Sequence, residues 1–163
     1  DEGVTIMEGA CIKGPAYIGK NVLIGNNSLI RNSCDIEEDS RIGAYTEIRG
    51  SLFSKKSSIH SGFIGDSVIG ENCKIGAFFC SANVRLDRKN VQVSTKDKLV
   101  DIGYHALGVL MGSRVKVGIR VSTMPGVIIG NNVYIGPSTT VMNNIEDNQT
   151  YYTKFDTVIK KRQ

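Results

Sequence analysis

Isoleucine keeps to one six-residue phase through the first fifty positions: Ile6, Ile12, Ile18, Ile24, Ile30, Ile36, Ile42 and Ile48. Six steps of about 100° put successive residues on opposite faces of an α-helix, so no buried helical stripe uses this spacing. Four residues after most of these isoleucines stands a small or β-branched residue: Ala10, Ala16, Val22, Ser28, Cys34, Ser40 and Thr46. Glycine often follows directly, as in Ile18-Gly19, Ile24-Gly25 and Ile42-Gly43. Such a unit predicts one short strand and one turn with the aliphatic side chain inward. Three units close a triangular coil, and coils stacked at about 4.8 Å pair their strands in parallel sheets. The expected fold is all-β, a left-handed parallel β-helix of hexapeptide repeats, which departs from the usual right-handed crossover. A β-sandwich would alternate with period two, and this chain does not.

The phase slips where Ile59, Ile64 and Ile69 fall five apart, and resumes at Ile69-Gly70 and Ile75-Gly76. From about residue 82 to 108 it is lost in a polar, charged stretch, predicted to be an inserted loop projecting from the scaffold. The period returns at Met111-Gly112, Val117-Gly118, Ile129-Gly130 and Ile135-Gly136. Residues 1–142 are thus expected to form the β-helix, and residues 143–163 a non-repetitive tail with a basic end. The chain opens at Asp1 inside the pattern, and we read it as a domain from a longer protein.

Composition narrows the function. The 163 residues carry a formal charge of +4, too mild and too evenly spread to imply a nucleic-acid partner. No apolar run approaches the roughly 18 residues of a membrane span, and no signal peptide is recognisable, so the expectation is a cytoplasmic protein without a membrane partner. Cys11, Cys34, Cys73 and Cys80 show no CxxC spacing and are read as free thiols, with Cys34 and Cys73 as core fillers. The 18 glycines lack a collagen period and read as coil corners.

Residues 18 apart should stack on neighbouring coils. Lys13, Arg31 and Arg49 each follow an in-phase isoleucine at that interval, predicting a basic ladder with rungs about 4.8 Å apart. Like charges that close repel unless an anion lies across them, which suits a phosphate; three solvated surface cations are the alternative.

Around the phase slip the chain reads SSIHSGFIGDSVIGENCKIGAFFCSANVRLDRK, Ser57 to Lys89. This resembles the His-x-x-(Tyr/Phe)-x-Gly-Asp-(Ser/Ala)-x-Ile-Gly-(Glu/Asp)-Asn segment, with a following Gly-Ala and Ala-Asn, of the glucosamine-1-phosphate N-acetyltransferase domain of bifunctional sugar-1-phosphate nucleotidylyltransferase/acetyltransferases. The stretch from Val115 to Pro137 is also similar, and the likeness is strongest to the archaeal-type branch. It implies an acetyl-CoA-dependent N-acetyltransferase acting on an amino-sugar 1-phosphate, with His60 as general base. A thioester aminolysis needs a neutral amine that sheds a proton as it attacks, and a histidine titrating near neutrality suits that task. The resemblance further implies Arg31, Arg49 and Asn83 as sugar-phosphate ligands, with Phe63 and Lys74 at substrate-binding positions. It implies backbone N–H groups near Gly76 and Ala77 for the oxyanion, and a homotrimer with acetyl-CoA between subunits. Ala77 and the basic side chains Arg114, Lys116 and Arg120 are the expected cofactor contacts. No metal is expected.

Three departures from the family pattern stand out. Lys74 replaces an asparagine, Phe78 and Phe79 replace Gly-Thr, and Phe63 replaces a tyrosine, giving up a hydroxyl donor. They motivate a second reading, a non-catalytic trimerisation and regulatory domain of a sugar-1-phosphate nucleotidylyltransferase. His105, in the inserted loop, is read as incidental, and a three-histidine zinc site on adjacent coils and interfaces is not expected because His60 and His105 are far apart and not on one repeat phase. Cys80 is not needed as a nucleophile in direct transfer. The chain contains no nucleotidyltransferase signature.

Overall fold

The computed structural model describes residues 1–162, and it bears out the expected architecture: an all-β stack of coils, the parallel solenoid of a left-handed β-helix. Three parallel sheets of eight, seven and six strands form the three sides of the triangular prism. The first sheet begins with Thr5–Ile6 and ends with Thr150–Tyr151, so the stack has eight turns on that side. The second begins with Cys11–Lys13 and the third with Ala16–Ile18. No helix long and apolar enough to cross a membrane occurs among the described residues.

The repeat phase maps directly onto register. Ile6 pairs with Ile24, Ile24 with Ile42, Ile12 with Ile30 and Ile30 with Ile48. Ile24, Ile30, Ile36, Ile42, Ile48 and Ile64 are fully buried, and burying a side chain of this size stabilises by roughly 1.5–3 kcal/mol. The first coil has no neighbour on its outer side, and there Ile6 is 52% exposed. Small residues at the fifth position of the unit lie inside, where their polar atoms bond to turn carbonyls. Ser28 Oγ and Thr46 Oγ1 donate to the Gly43 carbonyl at 2.9 and 2.8 Å, and Ser57 Oγ to that of Gly70 at 2.7 Å.

The slip in phase is absorbed as shorter coils. Arg41 pairs with Ser58 and Ser58 with Lys74, so the first of these coils falls one position short of the regular repeat and the second falls two short. Lys74 then pairs with Lys116, so a long excursion leaves the stack between them and rejoins it without disturbing the register. This excursion does not project free of the scaffold. Its hairpin (Gln92–Ser94 with Leu99–Asp101) is anchored by buried Val91 and Val93, packed over Gly126. Alternating valines, invisible to a six-residue search, account for this.

Beyond residue 142 the stack also continues. Ile145 is buried and bridges to Ile129, and Tyr151 pairs with Ile135 through a shortened turn that carries no glycine signature.

Candidate active site

The corner between the first and second sheets is where the fourth coil differs from its neighbours. From the second to the seventh coil the residue after the inward side chain is Gly25, Gly43, His60, Gly76, Gly118 and Gly136. Glycine is required at a regular corner because a Cβ there runs into the next coil: on Gly43 it would collide with the His60 carbonyl oxygen. Regular corners also hold one left-handed residue before the second sheet, as at Asn27, Tyr45, Phe78, Arg120 and Ser138. The fourth coil lacks it. Ile59 and Gly62 are three positions apart, whereas Ile42 and Thr46, their register partners, are four apart. Gly62 makes the turn instead, at φ 144°, where a Cβ would collide with the Phe79 carbonyl. The shortened corner thus carries a side chain, His60, where the others carry none, and that side chain is exposed.

Shortening also removes a carbonyl from the corner ladder. Elsewhere the left-handed residue donates its N–H to the preceding coil, Tyr45 to Asn26 O at 2.9 Å and Arg120 to Ala77 O at 2.8 Å. The Phe78 N–H donates instead to Ser61 Oγ at 3.2 Å. Of the two backbone groups expected near an oxyanion, the Gly76 N–H is engaged by the Val117 carbonyl at 2.9 Å. It is therefore not available, which corrects that expectation. The Ala77 N–H has no protein partner among the described residues.

A hollow of about 600 Å³ opens at this corner, lined by Tyr45, His60, Ser61, Phe63 and Phe78. Phe63 also walls a second hollow of about 290 Å³, with Cys80, Asn83, Arg85 and Arg88. A Cβ on Gly65 would stand 2.5 Å from the Phe63 ring and 2.9 Å from Asn83 Nδ2, so ring and amide both lie over that glycine. On this face Lys13, Arg31 and Arg49 form the expected ladder in direct register. The charges of its two arginines are balanced from within the chain. Arg31 donates twice to Glu47, from Nε at 2.8 Å and from the terminal nitrogen at 2.6 Å. Arg49 approaches Asp66 at 3.7 Å, and the same carboxylate oxygen accepts from Asn83 Nδ2 at 2.5 Å. Arg49 Nε is buried without a partner. Burial pushes the Cys80 thiol up, away from the reactive thiolate.

The remaining sequence-predicted residues are dispersed. Lys74 lies on the outer face of the first sheet beside Lys116, whose Nζ sits 5.0 Å from the Tyr134 ring centroid. Neither lines the His60 or Asn83 hollow. Ala77 and Arg120 belong to the His60 corner, whereas Arg114 is at the corner between the third and first sheets, its Nε donating to Asn132 at 2.6 Å. His105 is exposed in the excursion. No cluster of three or more His, Cys, Asp or Glu poised to hold a metal exists among the described residues. Glu47, Asp66, Ser61 and Tyr45 were not singled out from sequence. Asp66 was within reach, since it stands in the quoted Gly-Asp; the other three become legible only once the coils are in register.

Comparison with known proteins shows what this chain is similar to. The bacterial transferase hexapeptide family (six repeats) matches residues 15–50 and 108–143. These two stretches of the chain carry hexapeptide repeats. It is 40% identical over 135 residues to the bifunctional protein GlmU of Methanococcus aeolicus, covering 82% of this chain and 33% of that protein. To the bifunctional sugar-1-phosphate nucleotidylyltransferase/acetyltransferase of Sulfurisphaera tokodaii it is 39% identical over 149 residues, covering 87% of this chain and 37% of that one. The resemblance read from the sequence is borne out, and the hexapeptide-repeat chain spans about a third of the length of these curated relatives. Among solved structures, a point mutant of AntD, an N-acyltransferase from Bacillus cereus in complex with dTDP-4-amino-4,6-dideoxyglucose and coenzyme A, superimposes with a TM-score of 0.57. At 21% identity, covering 99% of this chain and 82% of that one, the likeness establishes the shared fold.

Proposed function

We propose that this β-helix transfers an acetyl group from acetyl-CoA to the amine of an amino-sugar 1-phosphate, with His60 as general base. The observation that carries the reading is the shared wall. Phe63 joins the hollow that holds His60 to the one that holds Asn83, with Arg49 and Arg31 further along the same face. On this reading the base, the Asn83 amide with its Asp66 carboxylate partner and the two guanidinium groups serve one substrate along one side of the prism. The likeness to bifunctional nucleotidylyltransferase/acetyltransferases supports the reaction class.

The sugar phosphate lies with its anionic end at Arg31 and Arg49. Glu47 and Asp66 hold the two guanidinium groups in place while leaving other N–H groups to donate, the bidentate chemistry for which arginine is suited. Asn83, oriented by Asp66, faces the sugar hydroxyls. The amine then reaches His60, which takes its proton as nitrogen attacks the thioester carbonyl. The Ala77 N–H is positioned for the oxyanion, a role that in acyl transfer is worth roughly 10²–10³ in rate. The attack forms the C–N bond; collapse of the tetrahedral intermediate restores the carbonyl, breaks the C–S bond and returns the proton from His60 to the departing thiolate. No step calls for a metal. Arg120, at the same corner, is suited to the phosphates of the cofactor; Lys116, one strand back, and Arg114 would contact it only if it ran across the first sheet. Assembly as a cytoplasmic homotrimer belongs to the same proposal.

The test is direct. Protein incubated with acetyl-CoA and glucosamine 1-phosphate releases free CoA and an N-acetyl product. His60→Ala lowers turnover about 10²–10⁴-fold with an unchanged melting temperature. A folded protein that releases no CoA with any hexosamine 1-phosphate would leave only the scaffold role.

A further inference from the structure

Tyr45 and Phe78 occupy the left-handed position of the third and fifth corners, at φ 55° and 60°. Bulky side chains are poor residents there: the conformation disfavours them by roughly 1–2 kcal/mol, whereas glycine and asparagine tolerate it. The same position elsewhere at this corner is Gly9, Asn27, Arg120 and Ser138. Packing does not compensate, because Tyr45 is 72% and Phe78 67% exposed. Two aromatic rings are thus held at unfavourable backbone positions, unpacked within the chain, on either side of the coil that lacks the left-handed residue. Strain of this kind points towards a site.

The missing residue makes the geometry. With neighbouring coils about 4.8 Å apart, the third and fifth corners are separated by roughly 10 Å, and the fourth contributes no side chain at the left-handed level between them. Tyr45 and Phe78 line one hollow together with His60, Ser61 and Gly62 of the fourth coil, and we refer to the space between the two rings as a slot. Two aromatic side chains at that separation leave room for an alkyl chain between them. The acceptor approaches His60 from the second sheet, where Arg49, Asn83 and Phe63 lie. The slot is therefore left to the other reactant.

We propose that Tyr45 and Phe78 are specificity-determining residues that grip the acyl group of the donor thioester, and that this slot favours acyl chains longer than acetyl. The inference rests on the acyltransferase reading above and refines its donor. Neither ring touches the reacting atoms; they select what His60 acts on.

Calorimetric titration with acetyl-CoA and butyryl-CoA tests it on the whole chain, alongside kcat/KM for each donor. Two further methylenes buried between the rings are expected to tighten wild-type binding about tenfold. Tyr45→Asn and Phe78→Asn, which suit the left-handed backbone and keep the fold, should each reduce that preference about threefold, and the double variant should abolish it. The KM for the sugar phosphate should not move. Equal affinity for the two thioesters in the wild type, or a preference that survives the double variant, overturns the slot while leaving acyl transfer standing. Failure to bind either thioester overturns both.

Discussion

Arg49 and Asn83, far apart in the chain, meet at one oxygen of Asp66, which lies 3.7 Å from the guanidinium and accepts from the amide at 2.5 Å. The carboxylate fixes the two groups as a unit across three coils, and it also offsets positive charge where a phosphate is expected to bind. Positioning and anion affinity are therefore opposed at this residue.

Replacing Asp66 by Asn should separate those effects. Asparagine tolerates the φ of 48° at this position, so the corner survives. Affinity for bare inorganic phosphate should rise several-fold, because one competing negative charge is gone. At the same time kcat/KM for the sugar phosphate should fall about tenfold, since a hydrogen bond to a charged group is worth roughly 1.5–3 kcal/mol and Asn83 loses it. Isothermal titration with phosphate and steady-state kinetics read the two arms. A parallel fall in both would show that Asp66 only maintains structure.

The corner glycines make a steric prediction. Gly43→Ala drives a Cβ into a backbone oxygen that cannot rotate away, and should destabilise by about 2–3 kcal/mol, read from urea unfolding. Gly103, with nothing within 4 Å of the same added atom, has only its φ of 73° to strain, and Gly103→Ala should lower stability by about 1 kcal/mol.

Position in the stack should grade the ladder isoleucines. Ile48→Ala, in the interior of the stack and fully buried, is expected to lower stability by about 2–5 kcal/mol. Ile6→Ala occupies an equivalent inward position but is 52% exposed in the first coil, and under about 1 kcal/mol is expected. Equal losses at the two sites would show that something covers the first coil in solution.

Cys73 gives a pH signature. Burial pushes its thiol above its ordinary value of 9.0, so the folded protein holds that proton more tightly than the unfolded chain does. A group with its folded pKa raised contributes its full stability below the unfolded value and loses it as pH rises towards the folded one. Stability should therefore fall above about pH 9. Cys73→Ser should flatten that segment of the curve, its hydroxyl inheriting the contact that Sγ now makes with the Gly112 carbonyl at 3.2 Å.

The fold was legible because hexapeptide phase and register are the same quantity in a stacked coil. Ile6, Ile24 and Ile42 are equally spaced in the chain and adjacent in the sheet. His60 was legible through its motif, and the arginine ladder by counting in eighteens. Their carboxylate partners were less legible by counting, although Asp66 stands in the quoted Gly-Asp. Asn83 meets Asp66 through a coil one position short, whereas Arg31 meets Glu47 diagonally across a regular strand pair, two positions before its register partner Arg49, and a search in eighteens finds neither. Lys74 stands away from the two hollows for a different reason. Neighbourhood along the chain put it beside the site, whereas the prism turns a corner between Lys74 and Phe79 and sends the two strands to different sheets.

Each coil bonds only to the one before and the one after, so the molecule behaves as a row of nearest neighbours rather than as a droplet. Such a row melts from its ends, where one neighbour is missing. Tyr45, His60, Phe63, Phe78 and Asn83 ride on the third, fourth and fifth of eight turns, with at least two turns on either side to fray first. Amide exchange should thus begin at the first and last strands and reach the corner at His60 late. Lengthening the stack by whole turns at either end would extend this protein without retuning its chemistry.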